Sequence, residues 1–491
     1  MALRAPAPEP VVDAVPPVRK GITRRQALAS AVATGVGVGA VRLLGGAMQN
    51  ITRSKTASGT DWVSPLGRES ARVMQLLRRT SFGYTQDQLD SALSDGYNKT
   101  VDRLLETPPA EPPVLAAAST PGGRFAAVDL QQWWIQHMLT TPTPFAERMT
   151  LFWHGHFTSD YRKTGNNTFM YWQNLTWRRM ALTNLGSMVM QVTTDPAMLR
   201  YLDLATSTGQ SPNENYSREL MELFTMGPGN YTEEDVRQSA KALAGWQQPP
   251  PDSTATVVVD NAKIVTQKLP VYGAQRPGVF NPKRAYKGSV TYLGHTGPLD
   301  TQGVIDRILA EPATATFIAS KVVQHFVTSQ PSPSYVNRLA DSFRRSRYDA
   351  KTLMRAVLTS PEFTADASYR SMLKSPIEFM VHGARALGST DMAKPIAGAG
   401  SGMGQSLFDP PDVNGWPNNA SWISSNSVVE RVNYVTLALA HVKSSLPSSA
   451  DAARSHLDGV LSPRTASLLN QAPDERTRWF ITLASPEFQL K

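Results

Sequence analysis

Ser211-Pro212-Asn213-Glu214-Asn215-Tyr216-Ser217-Arg218-Glu219-Leu220-Met221-Glu222-Leu223-Phe224 sets three glutamates, one arginine and two asparagines along one predicted helix. At 100° per residue, Glu214, Arg218, Glu222, Asn215 and Glu219 fall within an arc of about 140°. Leu223, Tyr216, Leu220, Phe224 and Met221 share the opposite side. The pattern is an amphipathic helix whose polar face holds carboxylates around one guanidinium. Such a face either meets solvent or walls a site. Ser211, with Pro212 behind it and Glu214 three residues on, has the form of a capping box, which predicts a helix beginning at Pro212. Arg218 can pair with Glu214 and Glu222 at i−4 and i+4. Glu219 has no such partner and lies near the apolar boundary, so it is the carboxylate expected to turn inward.

The same period recurs on both sides of this segment. Val73, Leu76 and Leu77 predict a helix from Glu69 to Arg79, and Thr85-Gln86-Asp87-Gln88 predicts a capped start to the next. Residues 126–157 read as two helices broken at Thr141-Pro142-Thr143-Pro144, and Thr232-Glu233-Glu234-Asp235 opens another after Gly227-Pro228-Gly229. Residues 249–300 differ: Thr256–Val259 and Ile264–Val265 flank a turn at Asp260-Asn261, and Ser289–Tyr292 is β-like. Gly388 to Gly404 reads as a small-residue loop. The expected fold class is mainly α, a large multi-helix single domain over 66–491 with a small β-hairpin insertion at about 249–300.

At 491 residues with 41% hydrophobic and 18% charged content, the chain has the composition of a globular protein. The formal charge of +9 is uneven: residues 1–50 carry +4 of it. What remains is too dilute to argue for nucleic acid, and no nucleic-acid motif is found. Thr23-Arg24-Arg25-Gln26-Ala27-Leu28 followed by the Ala/Gly/Val stretch Ala29–Val41 resembles a twin-arginine export signal. Residues 1–47 are therefore expected to be a signal peptide and 48–65 a spacer, with the mature chain periplasmic, extracellular or on the cell surface. The absence of cysteine excludes disulfides, thiolate metal sites and cysteine nucleophiles.

Chemistry centres on Phe152-Trp153-His154-Gly155-His156-Phe157. On an extended segment His-x-His turns both imidazoles to one side, a common pair of metal ligands; on a helix they diverge by about 200°. Gly155 and the Thr158-Ser159-Asp160 that follows predict that the helix from Phe145 is ending here, so the two can converge. The alternative is a pair of histidines satisfied by backbone carbonyls. His295, between Gly294 and Gly297, is a candidate third ligand or proton carrier. His137, His325, His382, His441 and His456 are read as structural. Phe408-Asp409-Pro410-Pro411-Asp412-Val413-Asn414-Gly415-Trp416 with Trp422 is either a rigid packed turn or an edge on which sugars stack.

Together with Leu77-Arg78-Arg79-Thr80-Ser81-Phe82-Gly83 and Lys374-Ser375-Pro376-Ile377-Glu378-Phe379, these motifs resemble the bacterial domain of unknown function 1800 family over about residues 70 to 490. The resemblance implies an exported, largely helical protein, often encoded beside a partner of the domain of unknown function 1501 family, itself similar to alkaline phosphatases and sulfatases. Members tend to carry a His-Asp element near the β segment. Here Asn281-Pro282-Lys283 and Gly294-His295-Thr296 stand there, which puts a ligand from that loop in doubt.

These readings lead to two expectations. The first is a metal-dependent hydrolase or oxidoreductase, with a divalent metal on His154, His156 and Glu222 and with Glu219, Arg218 and Asn215 in catalytic roles. The second is a non-catalytic envelope scaffold that binds a co-exported partner or a cell-wall polymer through Trp133, Trp134, Trp172, Trp246, Trp416 or Trp422. A haem protein with a histidine axial ligand is a third and weaker option, since no attachment motif is present.

Overall fold

The computed structural model describes residues 62–119, 125–249, 255–259, 263–267, 275–442, 445–449 and 451–491. The expected export signal, and the expected spacer as far as residue 61, lie outside the described residues. Among those described, no helix is long and apolar enough to cross a membrane.

The chain is mainly α. Its many prolines are explained by helix starts: Pro144, Pro196, Pro312, Pro333, Pro376, Pro463 and Pro486 each stand in a first turn, where a missing N–H costs nothing. The helix at Glu69–Thr80 and the capping box of Thr85 with Gln88 fall where the pattern places them. So do the helices Ala127–Thr140 and Pro144–His156 with their break between. The β insertion is three separate antiparallel pairs. Ala255–Val259 pairs with Lys263–Gln267, the expected turn between them lying outside the described residues. Val290–Tyr292 pairs with His295–Gly297, and Trp246–Gln247 with Val279–Phe280.

Two expectations fail. The Gly/Ala/Ser-rich stretch expected as a loop contains a helix, Ala393–Gly402, packed on Ala127–Thr140. Small side chains here permit close approach: a Cβ on Gly400 would stand 2.7 Å from the Gln405 carbonyl oxygen. The acidic helix also begins later than expected, at Asn215, and Ser211 does not cap it. Glu214 stands at the N-cap position without a side-chain cap bond, and just before it Asn213 Oδ1 accepts the Asn215 N–H at 2.9 Å in a turn that competes with helix.

Two large apolar cores share the interior. One gathers Trp153, Phe157, Trp177, Tyr216, Phe224 and Phe326, and the other Trp134, Tyr171, Phe379, Phe408, Tyr434 and Trp479. The helix Pro144–His156 lies between them, contributing Phe152 to the first and Leu151 to the second. A helix apolar around most of its girth belongs inside a protein. Phe145 through His154, and His156, are all buried. Its four charged or titratable side chains, Glu147, Arg148, His154 and His156, are therefore out of water and must find partners. The site follows from where those partners come from.

Candidate functional site

Glu147 takes Arg178 through Nε and Nη2, Trp134 Nε1–H at 2.7 Å, and His137 at 3.3 Å. Burial pushes its carboxyl up, but Arg178 and His137 outweigh that and hold it at about 2. This network ties three helices together, and none of its four residues lines the cavity described next. One residue further on, Arg148 turns the other way. It pairs with Glu378 and reaches His325 Nε2 with Nη2 at 3.4 Å. Glu378 Oε1 also accepts from Lys491 Nζ at 2.5 Å, and its Oε2 from the Ser375 N–H at 2.7 Å. Burial raises Glu378, and Arg148 with Lys491 overcomes it, so the carboxylate stays charged. Burial pulls Lys491 down to about 7 against the attraction of Glu378.

Glu378, Lys491 and His325 line a cavity of about 150 Å³. Its opposite side comes from the Phe408–Trp422 segment through Val413, Asn414, Trp416, Asn418, Asn419 and Trp422. His156, Lys321, Gln324 and Gln405 complete the polar lining.

The His-x-His motif divides its labour. Contrary to expectation the helix continues through His156, so the imidazoles diverge. His154 Nε2 accepts the Phe408 N–H at 3.1 Å. Phe408 is bulky yet has φ of 63°, a left-handed conformation that costs of order 1–3 kcal/mol unless its surroundings enforce it. His154 supplies that enforcement, together with Phe408 ring contacts to His154 and Trp134 at 4.9 and 5.3 Å and with the Tyr161 N–H donating to Phe408 O at 3.0 Å. Further along, Gly415 has φ of 83°, and a Cβ there would lie 2.5 Å from the Gly155 carbonyl oxygen. His154 and Gly155 thus seat the segment that brings Trp416 to the cavity, its ring 5.2 Å from that of His154.

His156 faces the cavity itself. Its Nε2 sits 2.9 Å from the Phe224 carbonyl oxygen, which fixes the proton on Nε2 and leaves a lone pair on Nδ1. Burial, with Lys321 adding, holds this imidazole down at about 3, and burial alone does the same to His154. Both rings are neutral at physiological pH.

The acidic helix stands apart from this cavity. Only Leu223, just past its end, joins the lining. Arg218 forks onto Glu233 at 2.6 and 2.8 Å, with Glu214 at 3.5 Å. Glu222 does not pair with Arg218 as expected; its Oε2 accepts from Tyr231 Oη–H at 2.5 Å. Asn215 is exposed and donates to Asp203 at 3.0 Å. Glu219 is half-buried as anticipated, and burial followed by Glu222 raises its carboxyl. Among the described residues no group of three or more His, Asp or Glu side chains is arranged to hold a metal ion. His154, His156 and Glu222 each have a separate partner, so they do not fit a shared divalent metal. His295 is exposed on its hairpin, outside the cavity lining.

The aromatic candidates need a second correction. Trp133, Trp134 and Trp172 are core residues, and Trp246 is half-buried beside Phe280. Trp416 and Trp422 alone among the six line the cavity. Lys321, Gln405 and Lys491 were not singled out from sequence, His325 was read as structural, and Glu378 stood only within the family motif. For Glu378 one local signal existed, the Ser375-Pro376-Ile377-Glu378 capping box, which the structure confirms. Its bond to Lys491 spans 113 residues and leaves no local trace.

A family model described as protein of unknown function (DUF1800) matches residues 75–490, and the chain belongs to that family. No curated protein and no solved structure matches it.

Proposed function

We propose that this protein is an exported binding protein of the cell envelope, and that its cavity takes a sugar unit of an envelope polymer. One observation carries the reading: two indoles, Trp416 and Trp422, meet side-chain amides from Gln324, Gln405, Asn414, Asn418 and Asn419 in one concave site. Sugars present apolar C–H faces and hydroxyl edges, and aromatic faces flanked by fixed amides answer both. Trp416 is half-buried, so one part of it is held while another stays accessible. The Arg24-Arg25 leader supports the location. The metal-dependent reading lacks such support, because its three ligands face different partners.

The test is co-sedimentation of the full mature chain with insoluble cell-wall polymer. Wild-type protein should pellet with the polymer, and Trp416→Ala, at a half-exposed position, should stay in the supernatant while keeping its unfolding midpoint. Equal pelleting of both proteins, or of neither, would overturn the reading.

A further inference from the structure

The cavity's polar groups are not balanced in charge. Gln405 is buried, and its Oε1 is occupied by the Ile377 N–H at 2.9 Å. Asn419 is held the same way, Oδ1 accepting the Leu373 N–H at 2.8 Å. A backbone N–H can only donate, so each bond fixes which end of the amide is oxygen and leaves its NH₂ group to donate elsewhere. The buried Trp416 Nε1–H has no partner. Lys321 adds a half-buried ammonium over the Phe317 ring at 5.2 Å and near enough to act on His156, with no carboxylate in an ion pair with it among the described residues. Lys491 Nζ adds another donor.

The Gln324, Asn414 and Asn418 amides bring acceptor oxygens as well as donors, so what sets the cavity apart is its charge. Glu378, the one side-chain carboxylate in the lining, is engaged by Arg148, Lys491 and the Ser375 N–H. His156 Nδ1 keeps one lone pair. None of Glu214, Glu219 and Glu222 lines the cavity. Among the lining side chains, Lys321 is the ammonium that Glu378 does not answer, since Glu378 is taken by Lys491 and by Arg148 behind it. A neutral sugar would answer the N–H groups but leave the Lys321 ammonium without a counter-charge. An anionic group, which only accepts, would satisfy both.

We propose that the bound unit is an acidic sugar, and that its carboxylate or phosphate sits among Lys321, Lys491, Gln405 and Asn419. This rests on the sugar-binding reading above and narrows its ligand class. Titration calorimetry of the full mature chain would compare a tri-uronate, its carboxyl-reduced neutral counterpart and a sugar phosphate. An acidic ligand should bind at least about tenfold more tightly than the neutral one. Lys321→Gln should remove most of that advantage, lowering the acidic ligand's affinity by a larger factor than the neutral one's. Raising sodium chloride should weaken the acidic ligand alone, a readout that needs no variant. Preference for the sugar phosphate over the uronate would assign the anion to phosphate and sustain the proposal. Equal affinity for acidic and neutral ligands would overturn it while leaving the sugar site standing. Binding of none would overturn both.

Discussion

Two segments of this chain draw attention by their charge and histidine content, and the structure treats them differently. The acidic helix Asn215–Glu222 spends its ionisable groups on exposed or half-exposed partners such as Glu233, Tyr231 and Asp203. The helix Pro144–His156 carries four such groups, Glu147, Arg148, His154 and His156, but it runs between two cores and each one is buried. An exposed ion pair contributes little, since water already solvates both partners. A buried polar group must be answered by a specific partner, and those partners reach in from Phe224, Arg178, Glu378 and Phe408. Density of charge in a sequence is therefore a poorer guide to a site than charge on an apolar helix.

The comparison can be broken at several points. Glu147→Gln should have the largest effect, removing the charge opposite buried Arg178 and costing about 3–5 kcal/mol in denaturant unfolding. A cost near zero would show the network to be dispensable. Gly415→Ala should follow, at about 1–3 kcal/mol, because φ of 83° and the Gly155 carbonyl both oppose a Cβ. His154→Ala should cost a similar 1–3 kcal/mol, roughly, by leaving the Phe408 N–H buried without an acceptor. His154→Gln, which restores an acceptor, should recover part of it; no difference between the two would deny His154 its seating role.

The same histidine gives a dependence on pH. Its folded value of about 3 lies below the ordinary 6.5. Below pH 6.5 the unfolded imidazole binds a proton that the buried one refuses, so stability is lost as pH falls from 6.5 towards about 3. The slope from one such group is at most about 1.4 kcal/mol per pH unit. His154→Gln should flatten the curve by that amount, and an unchanged curve would contradict the burial argument. Arg218→Ala should do least, leaving the unfolding midpoint within error, because its partners are in water.

Much of the architecture was legible because it is local. Caps at Thr85 and Thr232, prolines in first turns and the helix-breaking Thr141–Pro144 all act within a few residues. The errors have physical sources as well. Asn213 forms its own turn just before the helix that Ser211 was expected to cap, and Gly388–Gly404 concealed a helix because small residues signal close packing as readily as looseness. The half-buried position of Glu219 was readable from its place at the apolar boundary. The cavity was not readable, because Lys321, Glu378 and Lys491 have no common period and meet only when distant helices pack.

The claim that matters most is that Trp416 stands in a ligand site. Nitrogen-labelled indole spectra of the mature chain, recorded during titration with an acidic oligosaccharide, test it directly. The Trp416 Nε1–H, buried and without a partner in the free protein, should shift and saturate, while core indoles such as Trp134 and Trp177 stay in place. A saturating shift confined to other indoles, or no shift at all, would contradict the account.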